Sequence, residues 1–414
     1  MTGVILIQKN KFLSLDFILV FIVTCLVSIG LTAVYSATHI AVQSSGEYFT
    51  KQLMVAIIGF ILMIGLAFIP FRYIQRSSYI IYGISILLLI FVLIFGSRGY
   101  GAERWLAIGS LKIQPSEFCK LATIMAVANF ISKSDVDVNK LKSFLVVIGL
   151  MIVPFVLIVR QPDLGTSLVF LSIILPLLYW SGLNWFYLFV IITPLITFLL
   201  SFNFYAFLGW MIVISLILIV SRQKPIILIG VFLLHIFVGL ITPILWSQLK
   251  PYQQQRILTF ANPEADPQGA GYQIIQSKVA IGSGGIWGKG FLEGTQTQLR
   301  FLPAQHTDFI FSVIGEEWGF SGVLVVLILF TLILLYLIYL AGMVRSKFSS
   351  LVIIGTATVL FFHIVVNIGM TIGLAPVTGL PLPFISYGGS FLLSIFLMMG
   401  MIMNFSMNRF SHSV

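Results

Sequence analysis

Charge is what this sequence has least of. Thirteen Asp and Glu and 23 Lys and Arg make up 9% of 414 residues, against 59% hydrophobic residues. With a mean hydropathy of +1.08, a water-soluble fold would expose more apolar surface than water tolerates. The two cysteines, Cys25 and Cys119, lie in or beside apolar runs. That usage excludes a disulfide framework and a cysteine metal site. The five histidines show no ligand spacing. The net charge of +10 has no basic, aromatic-laced surface domain to carry it, so a nucleic-acid partner is excluded. Membrane orientation and anionic lipid are the better readings.

Apolar sequence fills the space that charge leaves. Twelve runs are candidate spans: Leu13–Ala37, Leu53–Ile69, Tyr79–Phe95, Phe118–Ile131, Phe144–Val159, Leu164–Trp180, Trp185–Leu200, Phe204–Val220, Pro225–Leu245, Phe309–Leu340, Leu351–Ile372 and Phe391–Met403. None alternates, which excludes a closed barrel and leaves helices as the satisfied backbone state in lipid. The first run is too long for a secretion-signal core and reads as a retained helix. Basic residues gather in alternate connections: Lys9 and Lys11, Arg72 and Arg76, Lys133, Lys140 and Lys142, Arg222 and Lys224, Arg345 and Lys347, and Arg409. If every run crosses, all of these fall on one side, and basic connections mark the cytoplasm.

The expected fold is therefore an all-α polytopic integral membrane protein with both termini cytoplasmic. It forms one membrane domain over residues 1–414, interrupted by a large extracytoplasmic loop at residues 250–306. Ser201 and Asn203 break Trp185–Val220 into two crossings or a pair that dips back; either choice leaves the loop outside. Glu316 and Glu317 place the first turns of Phe309–Leu340 at the interface or inside the bundle.

The polar stretch from Lys250 to His306 holds the best candidates for chemistry. Around Asp266, Pro263 and Pro267 restrict the backbone and push the aspartate toward an extended geometry. Such a carboxylate either caps a turn or serves as a rigidly presented general base. The run from Gly282 to Gly290 fails the P-loop spacing. It is either a flexible or tightly packed loop, or a close backbone approach with Lys289 as an anion contact.

Gln114-Pro115-Ser116-Glu117 signals a helix start, and Glu117 and Lys120 share one face at a spacing that permits pairing. Gln161-Pro162-Asp163 plays a similar capping part before the next run. Gly373 to Ser390 is a proline- and glycine-rich non-helical segment that includes Ser386. His306 and Asp308, two apart, can form a hydrogen-bonded pair. Acidic and basic residues together crowd this outer face, either to close the bundle by ion pairing or to line a cleft for an amphiphilic substrate.

These stretches, in order, resemble the SEDS family (shape, elongation, division and sporulation), its elongation branch more than its division branch. The resemblance rests on AERWLAIGSLKIQPSEFCK, RQPDLGTSLVF, NPEADPQGAGYQIIQSKVAIGSGGIWGKG, FLPAQHTDFIFSVIGEEWG and NIGMTIGLAPVTGLPLPFISYGGS, which reach from Gly99 to Ser390. It implies a helical bundle of about ten spans; the surplus apolar sequence lies in Asn184–Trp246. It also implies a cell-membrane peptidoglycan glycosyltransferase with lipid II as donor and acceptor. A class B penicillin-binding protein of the elongation machinery would be its cross-linking partner. Asp266 matches the family's catalytic aspartate, and Arg104, Glu117, Lys120, Lys289, His306, Asp308 and Ser386 fall in the motifs as substrate-binding residues.

The implied reaction inverts configuration. It needs a base for the attacking hydroxyl and positive charge for a departing diphosphate, which is already a good leaving group. Asp266 fits the base; Arg104 and Lys120 fit the diphosphate. No cofactor is required, although a divalent cation, Mg2+ or Mn2+, held by carboxylates such as Glu117 can share that work. Two other classes stay open: a lipid II flippase and a non-catalytic scaffold for a penicillin-binding protein. A transporter would provide polar groups on the inner side or at mid-membrane as well, yet the charges here concentrate outside.

Overall fold

A computed structural model describes residues 15–39, 45–99, 102–108, 111–221, 223–248, 254, 271–299 and 301–409. Helices dominate: α1 (Phe17–Thr38), α2 (Ser45–Ala67) and α3 (Phe71–Phe95) precede a small antiparallel meander of β1 (Ser97–Gly99), β2 (Ala102–Ile108) and β3 (Leu111–Ile113). Then come α4 (Pro115–Ile131), α5 (Leu141–Arg160), α6 (Leu164–Trp180), α7 (Trp185–Leu200), α8 (Phe204–Val220) and α9 (Pro225–Gln248). The polar region holds α10 (Tyr272–Ser283) and α11 (Thr295–Gln298). It is followed by α12 (Ile310–Glu317), α13 (Gly319–Met343), α14 (Lys347–Thr371) and α15 (Gly389–Met407).

Among the described residues, eight helices are long and apolar enough to cross a membrane: α1, α2, α3, α5, α9, α13, α14 and α15. This corrects the count of twelve. Side-chain caps and turns cut the other apolar runs short. Asp163 caps α6, Asn184 caps α7 and Asn203 caps α8. These helices and α4 have only 16 or 17 residues each. The 32-residue apolar run at Phe309–Leu340 also divides, at Gly319, whose φ of +63° no helix accepts.

α14 and α15 form the buried centre. Asn404 of α15 donates to the backbone oxygens of Leu66, Ala67 and Ile69 at 3.1, 2.9 and 2.6 Å, closing the end of α2. At the same end, Asp16 caps α1 and accepts from Tyr336 at 2.7 Å and Ser406 at 2.6 Å. Gly30 is required by close approach: a Cβ there would lie 2.5 Å from the Phe384 carbonyl oxygen. The surplus apolar sequence forms a satellite, α7–α9, with its own core of Phe186, Met211, Ile214, Leu218 and Val231. Both cysteines are free.

Candidate functional site

The polar side chains of the motif segments meet at one end of the bundle, opposite Asp16 and Asn404. Pro115 opens α4 at its first turn, where a missing N–H costs nothing, and this sets Glu117 and Lys120 on the inward face. They pair at 2.7 Å, and both are buried. Lys120 also donates to His363 Nε2 at 3.2 Å, which leaves Nδ1–H to donate to the Pro381 carbonyl at 3.0 Å. Phe391 stacks on the His363 ring and lies 5.1 Å from the Lys120 ammonium.

Next to this pair, Arg104 reaches from β2 across to the start of α6. Its guanidinium lies 3.7 Å from Asp163 and donates to the carbonyls of Gln161 and Pro162. Asp163 also accepts from Thr166 N at 3.2 Å and from Gln114 Nε2 at 3.2 Å. Arg104 keeps 32% of its side chain exposed, whereas Lys120 keeps none. Of the two cations expected to meet a diphosphate, only Arg104 faces outward.

The segment between α14 and α15 ties these groups to the turn at His306–Asp308. Ser386 Oγ donates to Thr307 O at 2.6 Å and accepts from Leu382 N at 2.8 Å; Tyr387 N donates to His306 O at 3.0 Å. Asn367, one turn beyond His363 on α14, donates to Asp308 O and Leu380 O. Gln52 of α2 donates to Ser386 O and accepts from Gly388 N. The His306 ring sits against Tyr48 and Tyr387, and burial lowers its pKa, so it is neutral at pH 7. Asp308 bonds Thr307 rather than His306.

Burial pushes the Asp308 carboxyl up to about 6, against the lowering effect of the Thr307 bond. A folded pKa above the unfolded value of about 3.9 penalises the folded state once the group ionises. Stability from this site is therefore highest below pH 4 and declines as pH rises toward 6. The melting temperature in detergent should show that decline in the wild type and a flatter profile in Asp308→Asn. Identical profiles would contradict it.

The glycine run packs tightly. Lys289 N and Gly290 N donate to the carbonyls of Glu316 and Glu317, both at 3.0 Å, and Phe320 N donates to Gly285 O at 2.9 Å. A Cβ on Gly288, where φ is +83°, would lie 2.1 Å from the Glu317 carbonyl oxygen. Gly288→Ala should destabilise the chain by about 1–3 kcal/mol, read as a lower melting temperature; an unchanged one would contradict the packing.

Lys289 bonds Glu316 at 2.8 Å and Thr295 at 2.7 Å. Burial alone would raise the Glu316 pKa, but the bonds from Lys289, Gln296 N and Thr297 outweigh it and hold the carboxyl below its usual range. Glu317 accepts from Ser36 and is raised by burial.

Asp266 lies outside the described residues. Sequence reasoning missed His363 and Asn367, whose signal was two polar side chains four apart in an otherwise apolar helix. Among the described residues, no group of three or more His, Cys, Asp or Glu stands ready for a metal ion. Glu117, the carboxylate expected to help hold one, is taken by Lys120.

Comparison with known proteins follows the same segments. The family model for FtsW, RodA and SpoVE, described as cell cycle protein, matches residues 17–210 and 206–411. The peptidoglycan glycosyltransferase MrdB of Escherichia coli K12 is 39% identical over 352 residues, 85% of this chain and 83% of that protein. The peptidoglycan glycosyltransferase RodA of Treponema pallidum is 34% identical over 94% of this chain and 96% of its own length.

Among solved structures, a chain of a peptidoglycan synthase complex, described for its coordination of polymerization and crosslinking, superposes with a TM-score of 0.73. It is 31% identical and covers 96% of this chain and 99% of its own. The crystal structure of the rod shape determining protein RodA of Thermus thermophilus gives 0.64 at 27% identity, covering 96% and 98%. This multi-pass membrane chain belongs to the FtsW/RodA/SpoVE, or SEDS, family and is a peptidoglycan glycosyltransferase.

Proposed function

We propose that the chain polymerises lipid II at the extracytoplasmic end of its bundle, for cell elongation. The observation that supports this best is the convergence of distant motif segments on one end: residues 380–390 bond Gln114, Thr307 and Asn367, Gln114 bonds Asp163, and Lys289 bonds Glu316. The opposite end carries Arg72, Arg76, Lys133, Lys140, Lys142, Arg345, Lys347 and Arg409, which favours a cytoplasmic placement for it and for both termini.

In the proposed reaction the 4-hydroxyl of an incoming GlcNAc attacks C1 of the MurNAc on the lipid-linked strand. The hydroxyl proton passes to Asp266, the C1–O bond to the diphosphate breaks, and a β-1,4 bond forms with inversion. Arg104, partly exposed beside Asp163, meets the departing diphosphate. The buried Glu117–Lys120–His363 cluster holds α4, α14 and residues 380–390 in register beneath it. Lys289, His306, Asp308 and Ser386 shape the outer surface that binds the sugars.

The partner is a class B penicillin-binding protein that cross-links the strands as they form and biases the outer surface toward its productive shape. Purified chain mixed with lipid II in detergent, where flipping has no meaning, should produce glycan strands, and faster with the partner bound. No strands with the partner supplied would contradict the polymerase reading. Equal turnover with and without it would reduce the partner to a tether.

A further inference from the structure

The basic end of the bundle holds an open cavity of about 440 Å³ that polymerisation does not use. Four side chains line it: Arg72, Gln75 and Arg76 from the first two turns of α3, and Asn129 near the end of α4. Its floor is fixed by two hydrogen bonds between these helices. Gln75 Nε2 donates to Asn129 Oδ1 at 3.4 Å, and Asn129 Nδ2 donates to the Gln75 carbonyl at 3.2 Å. Arg72 and Arg76, one helical turn apart, bring two guanidinium groups to the same space, and none of the four lining residues is acidic. An anion between them accepts charge-assisted, bidentate hydrogen bonds.

The surroundings select the kind of anion. Beyond the cavity α3 turns Ile80, Ile84 and Leu87 outward, each more than half exposed, as a face for acyl chains. Tyr73 stands 66% exposed beside Arg72. Lys133, four residues past Asn129, lies 5.5 Å from the ring of Tyr79, three residues past Arg76. Aromatic and basic side chains interleaved at the end of a lipid-facing helix mark the headgroup level of a bilayer. A free phosphate would be held by the guanidiniums alone; a phosphate tethered to acyl chains also gains the apolar face. We infer that Arg72 and Arg76, over the Gln75–Asn129 floor, bind the phosphate of an anionic glycerophospholipid from the leaflet at this end.

Native mass spectrometry of the full chain in detergent tests this, with phosphatidylglycerol, phosphatidylcholine and inorganic phosphate as separate probes. The wild type should retain phosphatidylglycerol over phosphatidylcholine. Retention should fall about tenfold in Arg72→Gln/Arg76→Gln. It should hold in Lys140→Gln/Lys142→Gln, which removes two exposed charges from the same end. Arg76→Gln alone, at an exposed position, should lower retention several-fold whether or not the double variant folds. Equal retention of the two lipids, or no loss in Arg76→Gln, would overturn the site. Displacement of phosphatidylglycerol by millimolar inorganic phosphate would overturn the lipid as its occupant.

Discussion

Lys120→Met should cost the fold about 3–5 kcal/mol, the usual consequence of removing one partner from a buried ion pair. The side chain is fully buried and serves two acceptors, Glu117 at 2.7 Å and His363 at 3.2 Å. Methionine fills a similar volume, so the loss comes from electrostatics rather than from a cavity. It leaves a carboxylate without its cation and His363 Nε2 without its donor. Adding Glu117→Gln removes the stranded charge, and the double variant should melt above Lys120→Met. Thermal melting in detergent checks both statements. A Lys120→Met variant as stable as the wild type would show that the pair does not hold α4 against α14. A double variant no better than the single one would place the loss elsewhere.

Much of this cluster was visible in the chain before its fold. Pro115 followed by Ser116 and Glu117 marked the start of α4, and the three-residue spacing from Glu117 to Lys120 marked the pair. Asp163 read as a cap and is one. Ser201 and Asn203 marked the break between α7 and α8. Local signals of this kind survive because caps, prolines and neighbouring side chains act within one turn of the backbone.

What was not legible acts over distance. His363 lies 243 residues from Lys120 and Glu316 lies 27 from Lys289, and no periodicity links either pair. The glycines from Gly282 to Gly290 announced a close approach but not its partner, which is the chain's own Gly315–Ser321. Helix α10 was hidden in a polar stretch read as loop. The span count failed for a related reason: hydropathy measures apolar length, while caps decide where a helix stops.

The largest effect on activity is expected from Asp266→Asn. The substitution keeps size and hydrogen-bonding capacity but removes the ability to accept the hydroxyl proton, and general-base catalysis contributes typically ~10²–10⁴-fold. Asp266 sits between Pro263 and Pro267 in the polar stretch from Lys250 to His306, and the amide is isosteric with the carboxylate, so the variant should insert and melt like the wild type. The direct measurement is lipid II turnover by purified wild type and Asp266→Asn, side by side in detergent with the cross-linking partner bound. Glycan strands from the wild type, with turnover at least about a hundredfold lower in an equally stable Asp266→Asn, is the predicted result. Near wild-type turnover by Asp266→Asn would contradict it.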